Sequence, residues 1–150
     1  MGTCTGYFGD VRATVLRQHA EIRARIRGLD PDFVPLSAGS ATLSLRVSLF
    51  RLAILFESHL RYEEEELAPR IRDCDAWGAL REAALHAEHL DQRTRLEHVC
   101  FLAESEAGHD SLSRGVSSLV VSLLEDMARE ERELLELERI LSFDVDQMTG

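Results

Sequence analysis

Residues 56–71 read FESHLRYEEEELAPRI, a histidine set in an apolar pattern directly ahead of four glutamates in a row. Leu45, Leu49, Leu52, Phe56, Leu60 and Leu67 recur at three- and four-residue steps, which is the spacing of one buried helix face. His59 and Glu63 fall on that same face. A buried carboxylate is costly unless it is paired or bound to a cation, so the pattern predicts a core-facing helix that carries a polar function inside. Glu64, Glu65 and Glu66 must wrap around the helix and read as a solvated face opposite Arg61 and Arg70.

Working outward, the helix of this stretch is expected over about 41–70, with Ser40 as its N-cap. An earlier helix, about 9–27, places Val11, Val15, His19, Ile22 and Ile26 on one face and stops at Gly28. The segment LDPDFVPLSAGS, with two prolines, is a connection. After a DCDAWG turn, a third helix of about 77–103 aligns Leu85, His89, Leu96 and Val99, with His86 beside them. ESEAGHDS is expected as a loop, and a fourth helix follows over about 112–141. Almost nothing reads as strand. The expected fold is therefore all-α, one domain over 1–150, an antiparallel up-down four-helix bundle.

The second and fourth helices look like versions of one another. Leu49, Leu52, Phe56, His59, Leu60, Glu63 and Leu67 align with Val116, Leu119, Leu123, Asp126, Met127, Glu130 and Leu134 at one constant separation. A core-facing Asp-x-x-x-Glu is thereby superimposed on a core-facing His-x-x-x-Glu.

Composition narrows the function classes. The chain has 150 residues, 45% of them hydrophobic, enough for one core, and a formal net charge of −10 with arginine as its only basic residue besides histidine. An acidic chain without lysine disfavours a broad nucleic-acid or membrane surface. Cys4, Cys74 and Cys100 have no metal spacing and an odd count, which disfavours a disulfide framework. No signal-peptide pattern or spanning segment is read from the sequence, so a soluble cytoplasmic protein is expected.

Each expected helix thus carries candidate ligands on its apolar face: His19; His59 with Glu63; His89; Asp126 with Glu130. Residues four apart project from one side of a helix, so each pair can offer two ligand atoms to one cavity. Imidazole suits iron, zinc or copper, and carboxylate suits hard oxidised iron or manganese. Taken singly, a histidine on an apolar face is more often a hydrogen-bonded core residue; the repeat is what favours metal. Tyr62 reads as packing, and His98, His109 and the cysteines receive no role.

This arrangement resembles the hemerythrin-like proteins with the HHE cation-binding domain, whose pattern is His, then His-x-x-x-Glu, then His, then His-x-x-x-Glu on successive helices. His19 takes the first position, His59 and Glu63 the second, His89 in LHAEHLDQ the third, and Glu130 the last glutamate, with Glu131 after it as Glu64 follows Glu63. The resemblance implies a centre of two non-haem irons that binds, reacts with or senses dioxygen, nitric oxide or hydrogen peroxide. Asp126 stands where the family has histidine, which leaves the second iron's coordination open; His86 is the candidate to supply the missing imidazole. If Asp126 faced the iron, its negative charge would favour the ferric state and disfavour reversible oxygen carriage. The competing reading is a metal-poor or metal-free regulatory bundle acting through a protein partner. A ferritin-like protein fits less well, since that family uses Glu-x-x-His in the reverse order.

Overall fold

The computed structural model describes residues 4–29, 38–105 and 108–148. The regular structure among them is entirely helical: α1 (Cys4–Arg27), α2 (Ala38–Tyr62), a π-helical turn (Glu63–Leu67), α3 (Ala68–Arg72), α4 (Gly78–Glu104) and α5 (His109–Met148). α2, the π turn and α3 run on as one rod, so four rods make an all-α four-helix bundle. α1 packs against α2 and α5, and α4 against the same two. None of the described helices is long and apolar enough to cross a membrane.

The heptad-like spacing read from the sequence is what the bundle buries. Val11, Val15, Ile22 and Ile26 on α1, Leu49, Leu52, Phe56 and Leu60 on α2, Leu85, Leu96 and Val99 on α4, and Val116, Leu119, Leu123 and Leu134 on α5 all face inward. They form two apolar clusters rather than one. The larger joins the end of α1, most of α2, the second half of α4 and the first half of α5; the smaller joins Phe8, Val11 and Val15 with Leu67, Ile71, Leu85, Leu134 and Leu137. A fully buried Leu or Phe contributes roughly 1.5–3 kcal/mol, so two such clusters can support a costly polar layer between them.

Three local features differ from the sequence reading. The second helix is not a uniform α-helix: the Ala68 N–H reaches the Glu63 carbonyl, a five-residue step that opens the turn. Pro69 explains it, because it has no N–H to continue the ladder and its ring crowds the carbonyl four residues back. Ser40 is not a cap, since α2 already begins at Ala38; most of the LDPDFVPLSAGS connection lies outside the described residues. α5 starts at His109, inside the expected ESEAGHDS loop, and runs to Met148, while α1 starts at Cys4.

The turn before α4 follows the sequence reading. Asp75 Oδ1 accepts hydrogen bonds from the Trp77 backbone N–H at 2.8 Å and from Arg81 at 2.7 Å, an Asx-type turn. Gly78 then allows α4 to start against the end of α3: a Cβ there would lie 2.1 Å from the Arg72 carbonyl oxygen.

Candidate metal centre

The polar layer occupies the gap between the two apolar clusters. On α1, His19 lies between Val15 and Ile22; on the second rod, Glu63 lies between Leu60 and Leu67; on α4, His89 lies between Leu85 and Leu96; on α5, Glu130 lies between Met127 and Leu134. All of these polar residues, with His59 and Asp126, are buried. Helical spacing alone brings them to one level, because each continues the apolar stripe that drives its helix into the core.

Four of them converge. One ligand atom each from His19, His59, Glu63 and Glu130 all lie within 4.8 Å of one another. His19 Nε2 is 3.2 Å from His59 Nε2, and His59 Nε2 is 3.1 Å from Glu63 Oε1. His19 Nε2 also stands 3.8 Å from Glu130 Oε1 and 3.9 Å from Glu63 Oε1. Neither of those two carboxylate oxygens accepts a hydrogen bond, although both are buried.

Outside this group, each imidazole is oriented by a residue from another helix. His19 donates Nδ1–H to Glu131 at 2.9 Å, and Arg23 holds the same carboxylate oxygen at 2.7 Å. His59 donates Nδ1–H to the Gln18 side-chain oxygen at 2.8 Å. The His89 Nδ1 meets Glu64 at 3.0 Å, and Arg93 binds both Glu64 oxygens while also reaching Glu57. A donated Nδ1–H fixes the tautomer and leaves Nε2 with a lone pair, the usual way a protein aims a metal-binding histidine.

The proton affinities follow from this placement. Burial lowers the His59 pKa to about 4, and burial likewise lowers that of His19, although Glu130 opposes it. Burial thus favours the neutral form of both rings. Their Nε2 atoms face each other at 3.2 Å. Burial, then the adjacent charge of Glu63, pushes the Glu130 carboxyl well above its ordinary range. His89 is different: burial lowers its pKa, but hydrogen bonds and charge from Glu63 and Glu64 outweigh that and hold it above the usual value. The Arg93 hydrogen bond lowers Glu64 to about 2.

The structure sorts the sequence candidates. His19, His59, Glu63 and Glu130 form the group; His89 adjoins it through a 2.9 Å contact from Nε2 to Glu63 Oε2. His86 is not brought in: its side chain is 48% exposed and sits 3.8 Å from Glu82, because it directly follows buried Leu85 and so lies about 100° round the helix from that side of the stripe. Asp126 is buried but turned to other partners: Oδ1 accepts from Arg129 at 2.9 Å and Oδ2 from Gln92 at 3.2 Å, with Arg95 at 3.3 Å. Two guanidinium groups thus already meet its carboxylate.

Sequence reasoning missed four partners. Gln18, Glu64 and Glu131 orient the histidines, and Gln92 is buried beside Asp126. On its own helix Glu64 reads as part of a solvated face. A signal existed in the repeated Glu-Glu pairs at 63–64 and 130–131: the first residue of each faces the core, and the second, about 100° further round the helix, reaches a histidine on a neighbouring helix.

The four-residue group suits a transition-metal ion. Two ligands opposite each other on an ion at roughly 2.1 Å are about 4.2 Å apart, so a group spanning 4.8 Å closes on an ion with small shifts. An ion would also satisfy the two orphaned oxygens. Two histidines with carboxylate match the donor set preferred by non-haem ferrous iron. A groove of about 510 Å³ lies alongside, lined by Leu67, Leu85, Leu134, Leu137 and Ile140, and Glu130 is among its walls. No family model, curated protein or solved structure matches the chain.

Proposed function

We propose that this chain is a hemerythrin-like non-haem iron protein whose buried centre binds or reacts with a small ligand such as dioxygen, nitric oxide or hydrogen peroxide. One observation carries the reading: the Nε2 atoms of two buried imidazoles face each other 3.2 Å apart, beside two buried carboxylate oxygens that have no hydrogen-bond partner among the described residues. In the absence of a cation that arrangement is electrostatically unfavourable. His19, His59, Glu63 and Glu130 would hold the ion; Glu131, Gln18 and Glu64 keep the rings aimed. Bound iron supplies a redox change and open coordination positions for a small ligand.

The residues around the centre fit that task. Apolar clusters flank the centre on both sides, and the groove that reaches Glu130, lined by aliphatic side chains and by charged ones such as Arg81, Glu88 and Arg132, offers a small uncharged molecule a route toward it. The test is iron analysis and visible spectroscopy of untagged protein after anaerobic reconstitution. Wild type should take up iron and show a ligand-dependent visible band, and His59→Ala and Glu63→Ala should lose most of the metal while remaining helical. A folded, colourless wild type that stays free of metal after iron-replete expression would overturn the proposal in favour of a metal-free bundle.

A further inference from the structure

The polar layer has two poles with different chemistry. At the first, His19, His59, Glu63 and Glu130 combine two imidazoles with two carboxylates, and Oε1 of each carboxylate lacks a hydrogen-bond partner among the described residues. At the second, the buried side chains are His89, Gln92 and Asp126. There the anion is already compensated. Asp126 receives Arg129 on Oδ1, and Arg95 with Gln92 on Oδ2. Arg129 is tied in turn to Glu88, and Arg95 to Asp91. His89 has both ring nitrogens against carboxylates, Nε2 on Glu63 and Nδ1 on Glu64.

From this contrast we infer that the centre holds one metal ion per chain, not two, and that the place of a second ion is closed by the clamp of Arg95 and Arg129 on Asp126. The inference rests on the metal-binding reading above and departs from the two irons that the resemblance implies. Its physical basis is that a divalent ion at the second pole would have to take Asp126 from two guanidinium groups that cannot deprotonate. Those cations would then lie close to the ion and repel it. Among the described residues, the orphaned atom at that pole is Oε1 of Gln92. A single neutral oxygen attracts a cation far less than the two carboxylate oxygens of the first pole.

The experiment is anaerobic reconstitution of wild-type chain with excess ferrous iron, removal of loosely bound metal, and measurement of iron per chain with electron paramagnetic resonance after oxidation. One iron per chain, with the signal of an isolated high-spin ferric ion, is the expected result. Two irons per chain, with that signal lost to coupling between them, would overturn the one-ion inference while upholding the metal centre. No bound iron would overturn both. A combined Asp126→His, Arg95→Leu, Arg129→Leu variant should rise from one iron to two, whereas Asp126→His alone should stay at one because both guanidinium groups remain. Were the combined variant, folded by circular dichroism, to stay at one, the clamp would not be what closes the second position.

Discussion

Glu130 shows how one residue can serve a site at the expense of the fold. Its carboxyl is pushed up by burial and by Glu63, so in the metal-free fold it resists ionisation, whereas in the unfolded chain it ionises near its ordinary value of about 4.3. The unfolded state is therefore favoured as pH rises above that value through the raised one. Glu130→Gln removes this penalty. Chelator-treated Glu130→Gln should be more stable than wild type at pH 7 by on the order of 1–3 kcal/mol, and the gap should close below about pH 4, where both states are protonated. Urea titrations at several pH values measure it, and iron content should fall in the same variant. A variant less stable than wild type at pH 7 would show that the Glu130 charge is compensated without metal. The orienting residues make a second case at this scale. Gln18→Leu and Glu131→Gln should each weaken metal affinity about 10- to 100-fold with helicity retained, as read by competition with a coloured chelator.

Among the elements, the second rod carries most of the design. The α-helical step from His59 to Glu63 keeps both on one face, and the π turn then begins at Glu63 itself. Such single wide turns cluster at functional sites in helices, and here Pro69 follows directly and breaks the α-helical ladder. The rod ends where α4 starts, and the contact between Gly78 and the Arg72 and Ile71 carbonyls fixes the junction. Since α4 carries His89 and Arg93, this junction also sets the height of the outer carboxylate network. Gly78→Ala should destabilise the protein by about 1–3 kcal/mol through steric overlap, seen as a lower thermal midpoint. An unchanged midpoint would mean that the junction can open without cost.

At the scale of the whole molecule, the site is a polar layer shared by four rods, so an ion bound there links elements from the full length of the chain. Binding to the folded state alone stabilises it by mass action, about 2.7 kcal/mol at a free metal concentration one hundred times the Kd. The thermal midpoint should therefore rise with added ferrous iron in wild type and respond little in Glu63→Ala. The groove beside Glu130 gives a kinetic counterpart. Ala84 lines it from an exposed position, so Ala84→Trp should fill part of it and slow the reaction of iron-loaded protein with hydrogen peroxide in stopped-flow, with metal content unchanged. Equal rates would direct the search for an entry path elsewhere.

The sequence by itself determined the all-helical bundle and the level of the polar layer. Both follow from periodicity: once Leu49, Phe56 and Leu60 must face the core, His59 and Glu63 have no choice of direction, and the same holds for His19, His89 and Glu130. What only tertiary structure decided is which of those inward groups meet. Asp126 occupies the repeat position of His59, yet Arg95 from α4 and Arg129 one turn ahead on α5 claim its charge, because pairing across helices depends on reach and rotation that spacing along one helix does not encode. The same limit hid Gln18, Glu64 and Glu131. Each looks like surface on its own helix and becomes part of the centre only when the neighbouring helix brings a histidine Nδ1 within about 3 Å of it.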